Sequence, residues 1–578
     1  MRRTKLLAAV ALVLGSAGTA RGALTIDLSY AQGSPNYSRF LAWVDQAVAG
    51  NPGYAFSATD AVTAYRLTNQ TQPQYANLAI AMVESQVTAA ETAMANHQRP
   101  EIAGDSYLHV GSMLRDVALV YDWCNPLLST SQKTRWAAYA DQAIFNVWNP
   151  SQASWGGTAF PWSGWSVNNP GNNYHYSFLQ ATMYWAFAAN RTSWITFLES
   201  QKLPALVAYF QGLPGGGSLE GTGYGVSLGR LFELYRVWKD CRGVDLADDS
   251  THLADSIDYW IHATVPALDR YAPIGDLARE SYPWLFDYHR NLVLQARSMT
   301  GAAAPQRARA AWWLHQISVD EMQHGFNVRD DLLPAGTTQT MPSALDYHST
   351  GVGALFARTS WQPNALWISF VAGPYVESHA HQDQGAFNLF AGDWLAVTEN
   401  IWTHSGIEQG TPIHNTLRFR TGANTVPQGE STSAMTVSRN GDVLHVAANL
   451  APAYAASGVV SSWQRTLDFS PMGLVVDDVY TTSGGTTATF QVNVPVQPIV
   501  QGSTIAAGAL RIVPEVPAVP TITLVDWHAQ DPSEFNSGWK VELGGGSGHY
   551  RVRLEIAAQL FVNGFESGST SAWSGSAP

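Results

Sequence analysis

The stretch "SHAHQDQGAF", residues 378–387, places His379, His381 and Asp383 at alternate positions among neighbours with the composition of β-strands. In an extended chain alternate side chains lie on the same face, so the sequence predicts that these three project from one side of a sheet. Polar residues on the solvated face of an antiparallel strand would give the same pattern. Two imidazoles and a carboxylate on one rigid surface would equally suit a metal site or proton transfer near neutral pH.

Short β-branched segments bounded by Gly, Pro, Ser and Asn continue from about residue 340 towards the C-terminus. Examples are "GLVVDDVYTT" (473–482), "TATFQVNVPV" (487–496) and "YRVRLEIA" (550–557). No helix-length pattern separates them, which disfavours a parallel α/β sheet. Their spacing predicts an antiparallel β-sandwich.

The chain before this region has helical periodicity instead. "HVGSMLRDVALVYDWC" (109–124) carries apolar residues at three- and four-residue spacing, which predicts a helix packed on one side. In the next segment, Ser129 and Gln132 form a capping-box pattern at the start of a second helix. Further helical patterns cover 40–49, 75–97, 176–189, 227–239, 253–263 and 288–300. This succession predicts helical hairpins.

The N-terminus has the pattern of a signal peptide over residues 1–22, with basic residues, an apolar run from Leu6 to Leu14 and then small residues. No later segment offers about 18 consecutive apolar residues, so no membrane span is predicted. We therefore expect an exported protein, periplasmic or extracellular. The Gly- and Ser-rich residues 561–578 are predicted to form a flexible tail.

The composition excludes some classes of function. The chain has 578 residues with 32 Lys and Arg against 45 Asp and Glu, a formal charge of −13, which disfavours a broad surface for nucleic acid. Its 22 Trp and 23 Tyr are compatible with surfaces that stack on sugars. Cys124 and Cys241 are too few for a disulfide scaffold, and whether they form one disulfide stays open.

Two further polar clusters precede the β-rich region. "NNPGNNYHYSF" (168–178) is rich in amides, which can shape a loop and cap a helix or bind a carboxylate. "GGGSLEGTGYGVSLGR" (215–230) places Glu220 and Tyr224 after a glycine-rich loop at the start of another predicted helix. Tyr224 is either a packing residue or an exposed hydroxyl.

The order of these motifs, followed by "YHSTGVGALFARTSW" (347–361), the stretch from 378 to 402 and "IHNTLRF" (413–419), resembles the heparinase II/III-like polysaccharide lyases, which are related to oligoalginate lyases. The resemblance implies an N-terminal incomplete α/α toroid over residues 24–335 and a C-terminal antiparallel β-sandwich over 336–560. It also implies cleavage of a uronate-containing polysaccharide by β-elimination, with unsaturated uronate products.

The resemblance also implies roles for individual residues. Asn173, supported by Asn172 or His175, is expected to neutralise the uronate carboxylate. Tyr224 is expected to protonate the leaving oxygen and could also be the base, and His379 is expected to assist with either the carboxylate or the proton. The residues expected to contact substrate are Asn172, Glu220 and Arg358.

A structural zinc ion is the cofactor that the resemblance implies, held by His381, Glu399 and His414. The family's acidic ligand is less well matched here, because "LAVTEN" places Thr398 or Glu399 at that position. A hydrogen-bonded cluster of the same side chains without metal is the alternative.

Two other functions fit the same residues. One is a noncatalytic carbohydrate-binding protein, and the other is a glycoside hydrolase on an α/α toroid, for which Glu220 would be one of two carboxylates. The expected partner in every case is an acidic polysaccharide or oligosaccharide, with low-sulfate polymers favoured because cationic residues are few. The polymer, endo or exo action and the oligomeric state stay open. Arginines that could anchor substrate or form structural ion pairs are Arg115, Arg230, Arg358 and Arg418.

Overall fold

The computed structural model describes residues 24–276, 283–325, 327–404 and 408–556, so the predicted signal peptide and C-terminal tail lie outside the described residues. Helices occupy the first part of the chain, and antiparallel strands occupy the part after residue 345. No helix in these ranges is long and apolar enough to cross a membrane. Cys124 and Cys241 are both free thiols.

Twelve α-helices are described before residue 317, and they confirm the predicted helical segments to within a few residues. They are α1 (Tyr37–Val48), α2 (Ala58–Leu67), α3 (Pro73–Ala95), α4 (Val110–Trp123), α5 (Thr130–Trp148), α6 (Asn173–Ala188), α7 (Thr192–Phe197), α8 (Leu203–Gln211), α9 (Leu228–Arg242), α10 (His252–Ala263), α11 (Asp287–Met299) and α12 (Pro305–Gln316). The predicted capping box is present at α5, where Ser129 and Gln132 bond reciprocally.

The helices form an inner and an outer layer. Helices α2, α4, α6, α9 and α11 contact one another in that order, and α3, α5 and α12 pack outside them. The inner helices are largely buried, as in α6, where every residue except Tyr174 is buried. A helix that is buried all round belongs to the inside of a layered structure.

A short 3₁₀ turn, Val328–Leu332, links the two ends of the inner series. Its Arg329 lies 2.8 Å from Asp60 of α2. The fully buried Asp331 accepts from Arg39 of α1 at 2.9 Å and from Arg290 of α11 at 3.0 Å. These ion pairs connect α1 and α2 with α11, across the gap that the described helices leave in the ring.

The strands are β1 (Ser154–Trp155), β2 (Thr158–Ala159), β3 (Asp346–Ser349), β4 (Ala354–Arg358), β5 (Trp367–Val371), β6 (Pro374–Tyr375), β7 (Phe387–Ala391), β8 (Asp393–Ala396), β9 (Leu417–Thr421), β10 (Asn424–Thr425), β11 (Ser431–Thr432), β12 (Ala434–Asn440), β13 (Val443–Asn449), β14 (Val460–Ser470), β15 (Gly473–Thr482), β16 (Thr486–Val494), β17 (Ile499–Gln501), β18 (Thr504–Ala507), β19 (Leu510–Val516), β20 (Thr521–Asp526), β21 (Trp539–Gly544) and β22 (His549–Ile556). A short helix, α13 (Trp527–Gln530), follows β20.

Three large antiparallel sheets, together with the two-stranded pair of β6 and β11, build the C-terminal part. The strand orders of the large sheets are β12-β13-β14-β15-β22-β19-β18-β17, β3-β4-β5-β7-β8 and β10-β9-β16-β21-β20. Side chains from all three sheets form one apolar core, and a hydrogen bond from Val397 N to Asn493 O joins the two five-stranded sheets. The predicted antiparallel sandwich is confirmed.

The β3–β8 sheet is buried on both faces. In β4, Ala354 and Phe356 pack into the helical core, whereas Leu355 and Ala357 pack into the sandwich core. The side chains of a strand alternate between faces, so β4, β5, β7 and β8 each contribute to two cores. The sheet therefore fixes the helical part and the sandwich against each other.

Arg358, at the end of β4, belongs to this interface and not to a substrate site, contrary to the sequence-based prediction. It is fully buried, and its guanidinium donates to the carbonyl oxygens of His262 at 3.1 Å and Thr264 at 2.7 Å, just after α10. The guanidinium carbon also lies 3.8 Å from the centre of the Trp361 ring. An arginine at this position satisfies carbonyl groups that a helix end leaves unpaired.

The predicted strand over residues 378–387 is also wrong. Strand β7 begins only at Phe387, and residues 378–386 form turns. Gly385 has φ +84°, and a Cβ there would lie 2.6 Å from Leu450. The loop that carries His379, His381 and Asp383 is bent by its packing against the sandwich. These three side chains therefore do not share a strand face.

We expect Arg358→Met to lower the free energy of unfolding by about 2–3 kcal/mol, because buried carbonyl groups lose their donors. Chemical denaturation measures this change. The control is Arg439→Met, whose exposed ion pair with Asp346 should contribute less than about 1 kcal/mol. Unchanged stability together with weakened substrate binding would return Arg358 to the substrate site.

Candidate active site

Asp276, in the loop between α10 and α11, binds both histidines of the 378–387 stretch. Its carboxylate lies 2.8 Å from His379 Nδ1 and 2.8 Å from His381 Nε2, and Gln409 Nε2 donates to it at 3.2 Å. Burial acts to raise the pKa of Asp276, but the hydrogen bonds from the two histidines outweigh it and lower the pKa to about 2. An ionised aspartate of the helical part thus orients two side chains of the sandwich.

Glycines allow three segments to meet at this point. Gly221 has φ +85°, and a Cβ there would lie 2.1 Å from the carbonyl oxygen of Ile274. Gly275 has φ +73°, and a Cβ there would lie 2.8 Å from the carbonyl oxygen of His379. Any other residue at either position would clash with backbone, so the glycine-rich loop is needed to bring Tyr224 beside the histidine loop.

Tyr224 and His379 stack face to face across the boundary between the two parts of the chain. Their ring centres are 3.6 Å apart and the planes differ by 5°. His379 Nδ1 is held by Asp276, and its Nε2 lies 4.0 Å from Glu220 Oε1. The stack therefore brings the phenol ring of Tyr224, from the helical part, against the imidazole ring of His379, from the sandwich.

Glu220 holds the two asparagines at the start of α6. Asn172 Nδ2 and Asn173 Nδ2 donate to Oε1 at 3.0 Å and 3.1 Å, and Asn173 N donates to Oε2 at 3.0 Å. Asn172 also caps α6 by accepting from Tyr174 N at 3.2 Å. Burial raises the pKa of Glu220 well above its ordinary value, opposed by the Asn173 donors and reinforced by Glu377. Glu220 therefore orients the Asn173 amide from behind.

A cleft of about 700 Å³ lies within the helical part, next to these residues. Asn173 and Tyr224 line it, and so do Arg115, Arg230 and Arg329. Glu220 does not line the cleft. It supports Asn172 and Asn173 and does not make the substrate contact that was predicted from the sequence. Arg418 is remote from the cleft and forms an ion pair with Glu542 on the sandwich.

His175, a predicted catalytic residue, lies outside the cleft. Its ring is buried, with Nδ1 3.0 Å from the carbonyl oxygen of Ser166 and an edge-to-face contact with Trp148. Burial lowers its pKa to about 4. The structure assigns His175 to packing around α6, because it lies one turn into a helix that is buried on almost every side.

The three side chains predicted to hold zinc are not brought together. His381 Nδ1 lies 3.2 Å from His414 Nε2, but His414 Nδ1 faces Thr398 Oγ1 at 3.1 Å. The fully buried carboxylate of Glu399 has no hydrogen-bond partner and lies against Gly538. In the part of the chain that the structure describes, no three His, Cys, Asp or Glu side chains could hold a metal ion. The residues present do not fit the predicted zinc site.

Asp276 and Gln409 are site residues that the sequence did not reveal. Asp276 lies 103 residues before His379 in a segment with neither helical nor strand periodicity. Gln409 follows the β8 region and also donates to the carbonyl oxygen of Ser378 at 3.0 Å. Only the tertiary structure brings them to the histidines.

Comparisons with known proteins identify the fold. No protein-family model matches the chain, and no curated protein matches it in sequence. Solved structures do match. Heparinase III has 12% identity and a TM-score of 0.57, covering 87% of this chain and 77% of that one. The heparan sulfate lyase HepC from Pedobacter heparinus has 13% identity and a TM-score of 0.52, covering 86% and 75%.

A chondroitin lyase has a similar structure. The chondroitin AC lyase of Streptomyces coelicolor A3, solved in complex with chondroitin sulphate, has 11% identity and a TM-score of 0.53, covering 87% of this chain and 74% of that one. Identity at this level supports the fold alone. The chain has the helical and antiparallel-sheet fold of these polysaccharide lyases.

Proposed function

We propose that the protein is an exported polysaccharide lyase that cleaves a uronate-containing polysaccharide by β-elimination, giving unsaturated uronate products. The stack of Tyr224 on His379, with Tyr224 and Asn173 both lining one cleft, is the observation that carries the proposal. These side chains come from three separate segments, and each belongs to a motif of the family that the sequence resembles. The shared fold of heparinase III and chondroitin AC lyase supports the same reaction.

The first requirement of this reaction is to make the C5 proton of the uronate acidic enough to remove. Charge develops on the carboxylate as the proton leaves, so a donor aimed at that group stabilises the transition state. Asn173 lines the cleft, and Glu220 fixes it by accepting from its backbone N–H at 3.0 Å and from its side-chain amide at 3.1 Å. Preorganisation of this kind avoids reorienting the donor during the reaction.

The second requirement is a pair of proton transfers. A base takes the C5 proton, the C4–O bond breaks as the C4=C5 double bond forms, and an acid protonates the departing glycosidic oxygen. Tyr224 supplies the acid. The two candidates for the base are Tyr224 itself and His379, whose Nε2 is directed away from the Asp276 carboxylate.

Glu220, the carboxylate predicted for the competing hydrolase function, does not reach the cleft. Glu220 is fully buried, accepts three N–H groups and does not line the cleft. Hydrolysis with two catalytic carboxylates requires both to reach the glycosidic bond or a water. Incubating the protein with a panel of uronate polymers decides the matter, because unsaturated products mean a lyase, saturated products a hydrolase, and binding without products a carbohydrate-binding protein.

Replacing Tyr224 with Phe keeps the ring that stacks on His379 and removes the hydroxyl. We expect turnover on the polymer cleaved by the parent protein to fall about 100- to 10,000-fold, with unfolding temperature unchanged. The control is Tyr480→Phe, which removes a hydroxyl that donates to Gly546 in the sandwich. Near-normal turnover of Tyr224→Phe would exclude Tyr224 as the acid.

Asn173→Ala should lower kcat about 100- to 1,000-fold, because the lost donor acts on charge that develops in the transition state. Steady-state kinetics measures this, and Asn96→Ala, at an exposed helix end, is the matched control. An increase in KM with unchanged kcat would show instead that Asn173 serves only ground-state binding.

Chelation should leave both unfolding temperature and turnover unchanged, because Glu399 does not join His381 and His414. Elemental analysis before and after chelator treatment gives the metal content. Near-stoichiometric zinc in the purified protein, with loss of stability on its removal, would contradict this expectation and restore the zinc site.

A further inference from the structure

A row of polar side chains runs along one wall of the cleft, starting at Tyr224. Tyr224, Ser227, Arg230 and Glu233 follow one another at intervals of three residues, and all four line the cleft. They span a 3₁₀ turn, Tyr224–Ser227, and the beginning of α9. Residues three apart lie on the same side of both kinds of helix, so the row is a consequence of the spacing.

The charges along this row are unequally paired. Glu233 accepts from Arg115 at 3.4 Å and from Tyr184 at 2.5 Å. Elsewhere in the cleft, Arg329 pairs with Asp60 at 2.8 Å. Among the described residues, no carboxylate lies within 4.0 Å of the Arg230 guanidinium, although Arg230 is the third arginine of the same cleft.

Arg230 carries a positive charge in the cleft that no ion pair within the described chain neutralises. Burial and the neighbouring Arg115 lower the pKa of Arg230 to about 10, and Glu233 only partly opposes them, so Arg230 still carries its charge at neutral pH. A partly buried charge without a partner is unfavourable, and it is typical of a site that a ligand completes. Ser227 Oγ, one step nearer to Tyr224, also has no protein partner.

We propose that Arg230 binds a second anion, the carboxylate or sulfate of a sugar unit next to the uronate that reacts at Tyr224. This inference rests on the proposed lyase function. From Tyr224 to Arg230 the helix axis advances about 10 Å, which is longer than one sugar ring and places Arg230 beside a neighbouring unit. The planar guanidinium suits either oxyanion, since both can accept two parallel hydrogen bonds.

The subsite defines the class of polymer that the cleft takes. A chain with an anion on each of two successive units, such as a homouronate or a sulfated glycosaminoglycan, would engage both Asn173 and Arg230. A chain in which uronates alternate with uncharged units would engage only Asn173. Because Arg115 and Arg329 are already paired within the protein, one additional anion, and not a densely charged segment, matches the cleft.

Arg230→Gln and Arg230→Lys test the proposal in steady-state kinetics against two pairs of polymers. The pairs are glucuronan with hyaluronan, which differ in a neighbouring carboxylate, and chondroitin 4-sulfate with unsulfated chondroitin, which differ in a sulfate. We expect Arg230→Gln to lower kcat/KM about 10- to 100-fold on the more anionic member of one pair, mainly through KM, and Arg230→Lys to recover part of it. The affected pair identifies the anion. Arg242→Gln, on an exposed turn of the same helix, is the control.

Equal losses on both members of each pair, or no loss on either, would overturn the subsite. Calorimetric binding of a glucuronate tetrasaccharide and of a chondroitin 4-sulfate tetrasaccharide to Tyr224→Phe, with and without Arg230→Gln, tests it without turnover, and unchanged affinity for both would also overturn it. If the parent protein forms no unsaturated product from any polymer, the lyase function fails, whereas the binding comparison still decides whether Arg230 holds an anion. Circular dichroism and unfolding temperature show whether each variant is folded.

Discussion

The site depends on the rigid junction between the helical part and the sandwich. Tyr224 and Asn173 belong to one part and His379 to the other, and a shift of about 1 Å between them would separate groups that must act together. The β3–β8 sheet prevents such a shift by burying one face in each core. Arg358 and Asp276 add polar contacts across the same junction.

Buried polar groups at this junction support one another. Glu220 is costly to bury, and its three N–H donors offset that cost while they aim the Asn173 amide. Asp276 differs in outcome, since two histidine donors lower its pKa although burial alone would raise it. Both carboxylates thus orient neighbouring side chains, although burial dominates the pKa of Glu220 and hydrogen bonds dominate that of Asp276.

Local patterns predicted most of the fold and only part of the site. The apolar spacing of α4 and the capping box of α5 were sufficient to predict these two helices, because each pattern depends only on residues close together in the chain. The 378–387 stretch failed because alternation also occurs in a loop, and the bend at Gly385 is imposed by the distant Leu450 and Trp463. Motif order identified Tyr224, Asn173 and His379 as neighbours.

Long-range pairing decided the remaining assignments. Arg358 and Arg230 are both arginines within or beside recognisable motifs, and the sequence does not say which one already has partners. The structure gives Arg358 the carbonyl groups after α10, and it leaves Arg230 in the cleft. Asp276 had no local signal, since its role arises entirely from contacts with residues more than 100 positions away.

The side chain that faces His414 is Thr398, and it affects how the histidine pair is connected. Burial lowers the pKa of His414 well below its ordinary value. Thr398 Oγ1 lies 3.1 Å from His414 Nδ1, His414 Nε2 lies 3.2 Å from His381 Nδ1, and His381 Nε2 lies 2.8 Å from the Asp276 carboxylate.

This chain of hydrogen bonds ends at the carboxylate that also holds His379. Because Asp276 is ionised and only accepts, His379 must carry its proton on Nδ1, which leaves an unshared electron pair on Nε2 when the ring is neutral. A carboxylate in place of Thr398 would accept from His414 Nδ1, so that in neutral rings the facing nitrogens of His381 and His414 would both be unprotonated and suited to a cation. With threonine, the same two histidines instead support Asp276, and through it they fix which nitrogen His379 presents to the site.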